Sequence, residues 1–302
     1  MSEIPKTWTV LTILQWTTAF FDKKGVDAPR LAAELLLAEV LSCTRIQLYV
    51  RYDHPLDPTE RDAYRALVKR RAGGEPVQYI LGRTEFWSIP LAVERGVLIP
   101  RSDTECLIEE ALVEAKRLTA SGIEHLHVAD VGTGSGAIAI AIAKELPDAT
   151  VVAGDIAETP LTLAPKNAEA AEVGARVSVH EADGLAALWQ AADRVPFHIV
   201  LSNPPYIRAG DHPGLMREVR DWEPSEALVS GDDGLDMLRQ LIADLQIPDL
   251  LHPDGVAIFE FGDREQAEQL VKLLGDSGFP NTRVRNDYGA RPRAVVARRE
   301  NG

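Results

Sequence analysis

The sequence predicts a doubly wound α/β domain preceded by a small all-helical one, and three observations carry that reading. From about residue 126 onward, short apolar runs of strand character alternate with longer helical stretches. A glycine loop, Gly132-Thr133-Gly134-Ser135-Gly136, stands between the first of those strands and its helix. Before residue 75, only helical periodicity is visible.

In chain order, Val10, Leu14 and Phe21 recur at helical spacing from Thr9 to Phe21, and Gly25 closes that helix. Pro29 takes a first-turn position ahead of Leu31, Leu35, Ala38 and Leu41 on one face. Asp57-Pro58-Thr59-Glu60 opens a third helix, with Asp57 as cap, Pro58 in the first turn and Glu60 reaching back. Tyr64, Leu67 and Val68 form its apolar face, and Gly73-Gly74 end it. Residues 1–75 are thus expected to be a helical domain without a catalytic constellation of its own.

Residues 76–100 read as a joint. Glu85-Phe86-Trp87 and Leu91-Ala92-Val93 flank Ser88-Ile89-Pro90 as a hairpin with proline at its turn. Ser102 with Glu105 three residues on predicts a capping box and a helix to about Leu118, the start of a domain spanning 101–302. Seven strands follow: Leu126–Val131, Thr150–Asp155, Arg176–His180, Phe197–Ser202, Gly255–Phe261, Thr282–Arg285 and Arg293–Arg298. Helices are expected over Ser135–Leu146, Pro160–Val173, Gly234–Leu245 and Arg264–Gly275. With no clear helix between the last two strands, one of them is expected to run antiparallel.

Composition narrows the function. Hydrophobic residues make up 45% and charged residues 26%, ordinary for a soluble protein. No apolar run reaches the ~18 residues of a membrane span, and the amphipathic start does not read as a signal peptide. Cys43 and Cys106 show no metal or redox spacing, which suits a reduced, cytoplasmic protein. His125-x-His127 is alternation on a strand, a surface pattern, and no metal is expected. A net charge of −14 opposes nonspecific phosphate-backbone binding and favours a protein or small-molecule substrate.

Three stretches carry chemistry. The glycine loop lets backbone approach a ligand closely, with the free N–H groups of a helix start aimed at it. Its G-x-G-x-G spacing is neither the dinucleotide pattern nor a triphosphate loop. Asp155, at the end of the next strand, stands where a carboxylate accepts both hydroxyls of a ribose. Asp183, followed by Gly184, comes after the third strand and is placed to meet an adenine amino group, although a cap or turn role fits it nearly as well. Asn203-Pro204-Pro205-Tyr206 then breaks the strand Phe197–Ser202. Both prolines lack an N–H and fix φ, so ladder pairing stops and the Pro204 carbonyl is rigidly aimed. With the Asn203 side-chain oxygen beside it and the Tyr206 face behind, the turn suits a planar group bearing an NH2.

The loop, the carboxylate and the turn together resemble the class I S-adenosylmethionine-dependent amino-methyltransferases. Gly74-Glu75-Pro76, Glu85-Phe86-Trp87, Ile99-Pro100-Arg101-Ser102-Asp103-Thr104-Glu105, Asn203-Pro204-Pro205-Tyr206-Ile207, Glu223-Pro224 and Asp233-Gly234-Leu235 are similar to the protein-(glutamine-N5) methyltransferases of the HemK/PrmC group. The resemblance covers nearly the whole chain. It implies a Rossmann-like, mostly parallel seven-stranded sheet, S-adenosyl-L-methionine as cofactor, and class I peptide chain release factors as substrate, methylated on the glutamine of their Gly-Gly-Gln loop. Gly132, Thr133, Gly134, Ser135, Gly136, Asp155, Asp183, Gly184 and Asn203 would hold the cofactor. Asn203, Pro204, Pro205 and Tyr206 would hold the substrate amide, with Asn203, Pro204 and Tyr206 serving the reaction. Ser102 departs from the family's usual proline, and either residue suits a helix start. The alternative is an adenine-N6 nucleic-acid methyltransferase, whose substrate also presents a planar NH2; it would need a path for a flipped base and a basic groove. Neither direct nucleic-acid binding nor a membrane is expected.

Overall fold

The structure is a computed structural model that describes residues 7–299. The chain divides into two compact units. The first runs through Gly82 and takes in Met216–Trp222 from later in the chain. It contains α1 (Val10–Lys23), α2 (Pro29–Val40), α3 (Arg45–Val50), α4 (Pro58–Ala72) and α5 (Val77–Leu81). Thr9 caps α1 and Asp57 caps α4, the latter with Glu60 N–H on Asp57 Oδ1 at 2.8 Å and Glu60 Oε2 on the Asp57 N–H at 2.9 Å. Val10, Leu14, Phe21, Leu36, Leu37, Leu48 and Tyr64 fill the core.

Two of these helices differ from expectation. α3 and α5 have six and five residues, too few for a 3.6-residue period to show in the sequence. α5 carries the helical unit past residue 75 to Gly82, whose left-handed φ of 69° ends it. Around the expected joint, Arg70 grips Glu75 with two parallel bonds of 2.6 and 2.7 Å. Gly74 has φ 99°, and a Cβ there would lie 3.1 Å from Arg217 Nε.

The second unit opens with a hairpin, β1 (Arg83–Phe86) and β2 (Ile89–Ala92). Then come α6 (Glu105–Ala120), β3 (His127–Val131), α7 (Ala137–Glu145), β4 (Thr150–Asp155), α8 (Glu158–Ala170), β5 (Val177–Glu181), α9 (Gly184–Ala191) and β6 (Phe197–Ser202). α10 (Arg217–Trp222) belongs to the first unit, and α11 (Asp236–Asp244), β7 (Leu251–Glu260), α12 (Arg264–Asp276), β8 (Asn281–Asn286) and β9 (Pro292–Arg298) complete the chain. The seven strands order as β5-β4-β3-β6-β7-β9-β8, parallel except that β9 runs antiparallel to β7 and to β8. Strand order reverses at β3, which pairs with β4 on one side and β6 on the other. A crevice at the carboxyl ends of β3 and β6 follows from that reversal. One apolar layer packs α6 and α7 on the sheet, and the opposite layer packs α9, α11 and α12.

Two local expectations are corrected. The hairpin turns at Trp87-Ser88, both with positive φ (52° and 56°), and Pro90 lies inside β2 opposite Glu85. Trp87 is held in this turn by its indole N–H on Glu145 at 2.7 Å and its backbone N–H on Glu105 at 3.3 Å. That second bond uses the carboxylate expected for the Ser102 capping box. Ser102–Thr104 instead form a 3-10 turn, and α6 starts at Glu105 with no side-chain cap.

Candidate active site

The glycine loop is held at the crevice by the end of β4. Gly132 N–H and Thr133 N–H both donate to the Gly154 carbonyl at 2.9 Å, so the glycine loop folds over the end of β4. Asp155 Oδ2 accepts Gly134 N–H at 3.0 Å, and its Oδ1 accepts Ile156 and Ala157 N–H at 2.9 and 3.1 Å. Gly132 and Gly134 have φ of 76° and 56°, with nothing within 4 Å of where a Cβ would stand. A side chain there would project into the cavity.

That cavity is about 330 Å³. Gly132, Gly134, Asp155, Asp183, Gly184, Asn203 and Pro205 line it, with apolar wall from Val97, Leu98, Ile156, Pro160 and Met237. Thr133, Ser135 and Gly136 do not line it. The Thr133 hydroxyl donates to Asp130 Oδ2 at 2.7 Å, and the Ser135 carbonyl accepts Asn167 Nδ2 at 2.8 Å. A Cβ on Gly136 would press on Ala164 and Ile140 at 3.1 Å, so that glycine permits close helix packing. These three support the loop from below. Asp130 is fully buried; burial pushes its carboxyl up to about 7, and its Oδ1 has no partner among the described residues.

Beyond β6, the Asn-Pro-Pro-Tyr turn is fixed from three sides. Ser202 Oγ donates to the Val131 carbonyl at 2.7 Å, pinning β6 to β3. Asn203 Nδ2 donates to Thr104 Oγ1 at 3.1 Å. Tyr206, half-buried, donates its hydroxyl to Glu260 Oε1 at 3.2 Å, and burial together with that carboxylate pushes the phenol pKa up. Gly234, at φ 76°, lies so close that a Cβ would stand 2.1 Å from the Tyr206 carbonyl oxygen. No hydrogen bond to the Pro204 carbonyl occurs among the described residues. Pro204 and Tyr206 form the far side of the turn and do not border the cavity.

Residues 12–82 match the family described as PrmC N-terminal domain, and residues 110–218 match the Methyltransferase small domain. Over 298 residues the chain is 41% identical to the release factor glutamine methyltransferase of Geobacter sulfurreducens, covering 99% of each protein. The chain belongs to the release factor glutamine methyltransferase family. The Chlorobaculum tepidum member is 41% identical over 293 residues, 96% of this chain and 97% of that one. The hMettl16 catalytic domain, solved in complex with MAT2A 3′UTR hairpin 1, superposes with a TM-score of 0.56 at 16% identity, covering 77% and 80% of the two chains. At that identity the likeness is one of fold, that of the class I methyltransferases.

Within this family the residues of the crevice fit S-adenosylmethionine. Asp155 Oδ2, which accepts one backbone N–H, keeps a lone pair for a ribose hydroxyl. Two Cβ-free positions leave room above the loop, and the apolar wall suits a flat base. Several residues support the site from outside the cavity, and of these Asn167, Glu260 and Gln266 were not singled out from the sequence. Asn167 clips the loop to β2, exchanging bonds of 2.9 and 3.0 Å with the Ala92 backbone. Glu223 ties down the segment that supplies Val97 and Leu98, through the Ile99 N–H at 3.3 Å and the Arg101 guanidinium. For Glu260 a signal exists: a lone carboxylate that ends the apolar run Val256–Phe259. Thr104 lies within the stretch Ile99–Glu105 that carries the family resemblance, and Gln266 carries no signal.

Proposed function

We propose that this chain transfers a methyl group from S-adenosylmethionine to the side-chain nitrogen, N5, of the glutamine in the Gly-Gly-Gln loop of class I peptide chain release factors. The observation that carries the reading is the Asn203 amide. Its nitrogen is engaged by Thr104 at 3.1 Å, so its oxygen is left to accept from a substrate NH2.

S-adenosylmethionine supplies, when bound, a methyl group activated by an adjacent sulfonium. Gly132, Gly134 and Asp155 hold that ligand by backbone approach and by carboxylate acceptance, with Asp183 and Gly184 beside them. An amide nitrogen is a poor nucleophile because its lone pair is shared with the carbonyl. Asn203 Oδ1 and the Pro204 carbonyl compensate by accepting its two N–H groups and holding the nitrogen in one orientation, a positioning effect. The Tyr206 ring, fixed by Glu260, covers the amide plane against water. The proton leaves after methyl transfer, when the nitrogen is acidic, and needs no strong base.

The helical unit is the docking element for the release factor. Its support is an aromatic groove lined by Trp8, Trp16 and Phe20 and edged by Arg61, Arg65 and Lys69, a basic rim on an acidic chain. No helix among the described residues is long and apolar enough to cross a membrane. With both cysteines free, we place the enzyme in the cytoplasm with no direct nucleic-acid partner. The test is incubation with S-adenosylmethionine and a purified release factor, followed by peptide mass spectrometry. One methyl group on the Gly-Gly-Gln glutamine supports the reading, and an unmodified glutamine overturns it.

A further inference from the structure

Asp183 stands directly before α9, where a side chain ordinarily accepts a first-turn N–H, yet it makes no capping bond. The Ala186 N–H of that turn donates instead to Asp244 Oδ2 at 3.0 Å, from 58 residues further along the chain. We propose that Asp244 is a positioning residue for the cofactor. By capping α9 from another helix, it leaves the Asp183 carboxylate to the base of S-adenosylmethionine and so sets the preference for adenine. The inference rests on the reading of Asp183 as the residue that meets the adenine amino group.

Asp244 is the last residue of α11, where a carboxylate faces the negative end of its own helix dipole. Leu241 and Gln240, three and four residues before it, offer no counter-charge. At the start of α9 the same carboxylate meets the positive end of a dipole and a backbone N–H that has no acceptor within its own helix. Gly184 makes the approach possible. It has φ 83°, and a Cβ on it would stand 3.1 Å from Asp244 Oδ2 and 2.5 Å from Gln240 Nε2. Leu185 and Leu188 of α9 pack in one apolar layer with Leu238 and Leu241 of α11, which brings the carboxylate to this turn.

Asp183 lines the cavity together with Ala182 and Gly184, and Met237 brings α11 to the same wall. The Ala182 N–H donates to the Asp155 carbonyl at 3.0 Å, so the chain is fixed just before Asp183 and, through Ala186, just after it. No hydrogen bond to the Asp183 carboxylate occurs among the described residues. An ionised carboxylate can only accept, and the amino group of adenine is a donor that an unsubstituted purine lacks. Without Asp244 the Ala186 N–H loses its acceptor, and Asp183 is the nearest carboxylate in sequence that can cap it. A carboxylate drawn onto the helix start is drawn off the base.

The experiment is calorimetric binding of S-adenosylhomocysteine and of its deaminated analogue, in which purine replaces adenine. Four full-length proteins are compared: wild type, Asp183→Ala, Asp244→Ala and Asp244→Asn. Wild type should bind the adenine ligand at least about tenfold more tightly than the purine one, the effect of one charge-assisted hydrogen bond. Asp183→Ala should bind the two alike. Asp244→Ala should lose most of the preference by weakening the adenine ligand, with affinity for the purine ligand nearly unchanged. Asp244→Asn keeps an oxygen for the Ala186 N–H and should keep the preference. A packing role would instead weaken both ligands by the same factor. Wild-type preference in Asp244→Ala overturns the inference alone, as does an equal loss in Asp244→Asn. Where Asp244→Ala does not fold, Asp244→Leu, similar in size and without an acceptor, is read in the same way. A wild type with no preference, or Asp183→Ala with the preference intact, overturns the reading of Asp183 and this inference with it.

Discussion

Gln266 holds the carbonyl oxygen of Tyr206 with its side-chain nitrogen at 2.8 Å. The same nitrogen reaches the Asp233 carbonyl at 3.0 Å, and Oε1 accepts the Gly262 N–H at 2.8 Å. A fully buried side chain from the first turn of α12 thus closes three backbone groups around the Asn-Pro-Pro-Tyr turn. Gln266→Ala leaves all three without that partner. We expect a loss of about 1–3 kcal/mol in denaturant unfolding and a fall in methylation rate larger than any change in cofactor affinity. Unchanged stability would mean that Gln266 does not hold the turn.

Asp155 is predicted to anchor the cofactor. Asp155→Ala removes charge-assisted hydrogen bonds worth about 1.5–3 kcal/mol each, so S-adenosylmethionine affinity should fall at least roughly tenfold. Calorimetry measures this directly. Because Asp155 also fixes the Gly134 N–H, Asp155→Asn should be measured beside it to separate the loss of charge from the loss of loop support.

Asp130 gives a stability prediction whose sign is unusual for a carboxylate. Its folded pKa is raised to about 7 by burial, above the ordinary value of 3.8. Between those values the folded protein keeps a proton that the unfolded chain has released. Stability therefore falls as pH rises through that window and is level above it. Asp130→Asn should abolish this dependence and raise stability at pH 8 by up to about 4 kcal/mol, with no gain below pH 4. Denaturant unfolding at the two pH values checks it, and a variant less stable at pH 8 would contradict it.

Much of the fold is legible because a strand buried on both faces needs a continuous apolar run, and Phe197–Ser202 is one in sequence and structure alike. The helices not foreseen, α3, α5, α9 and α10, have six, five, eight and six residues, too short to display a period. The glycine loop and the proline turn are legible for another reason: contiguous residues must act together, so their spacing survives in the chain. The groups that hold them do not share that property. Thr104 meets Asn203 from 99 residues away, Glu260 meets Tyr206 from 54, and Gln266 reaches the Tyr206 carbonyl from 60. No local pattern joins such pairs. Glu105 shows the converse, where a convincing local pattern yields to a tertiary bond with Trp87.

The most direct test of the account is single-turnover methylation by Asn203→Ala, measured with cofactor affinity and thermal unfolding on the same preparation. Losing one positioned hydrogen-bonding group should slow the chemical step on the order of 10²–10³-fold, with cofactor affinity nearly unchanged. Asn203→Asp keeps an acceptor and should retain more activity than Ala. A folded, cofactor-bound Asn203→Ala enzyme that methylates the release factor at the wild-type rate would contradict the account, leaving Asn203 as no more than the end of a strand.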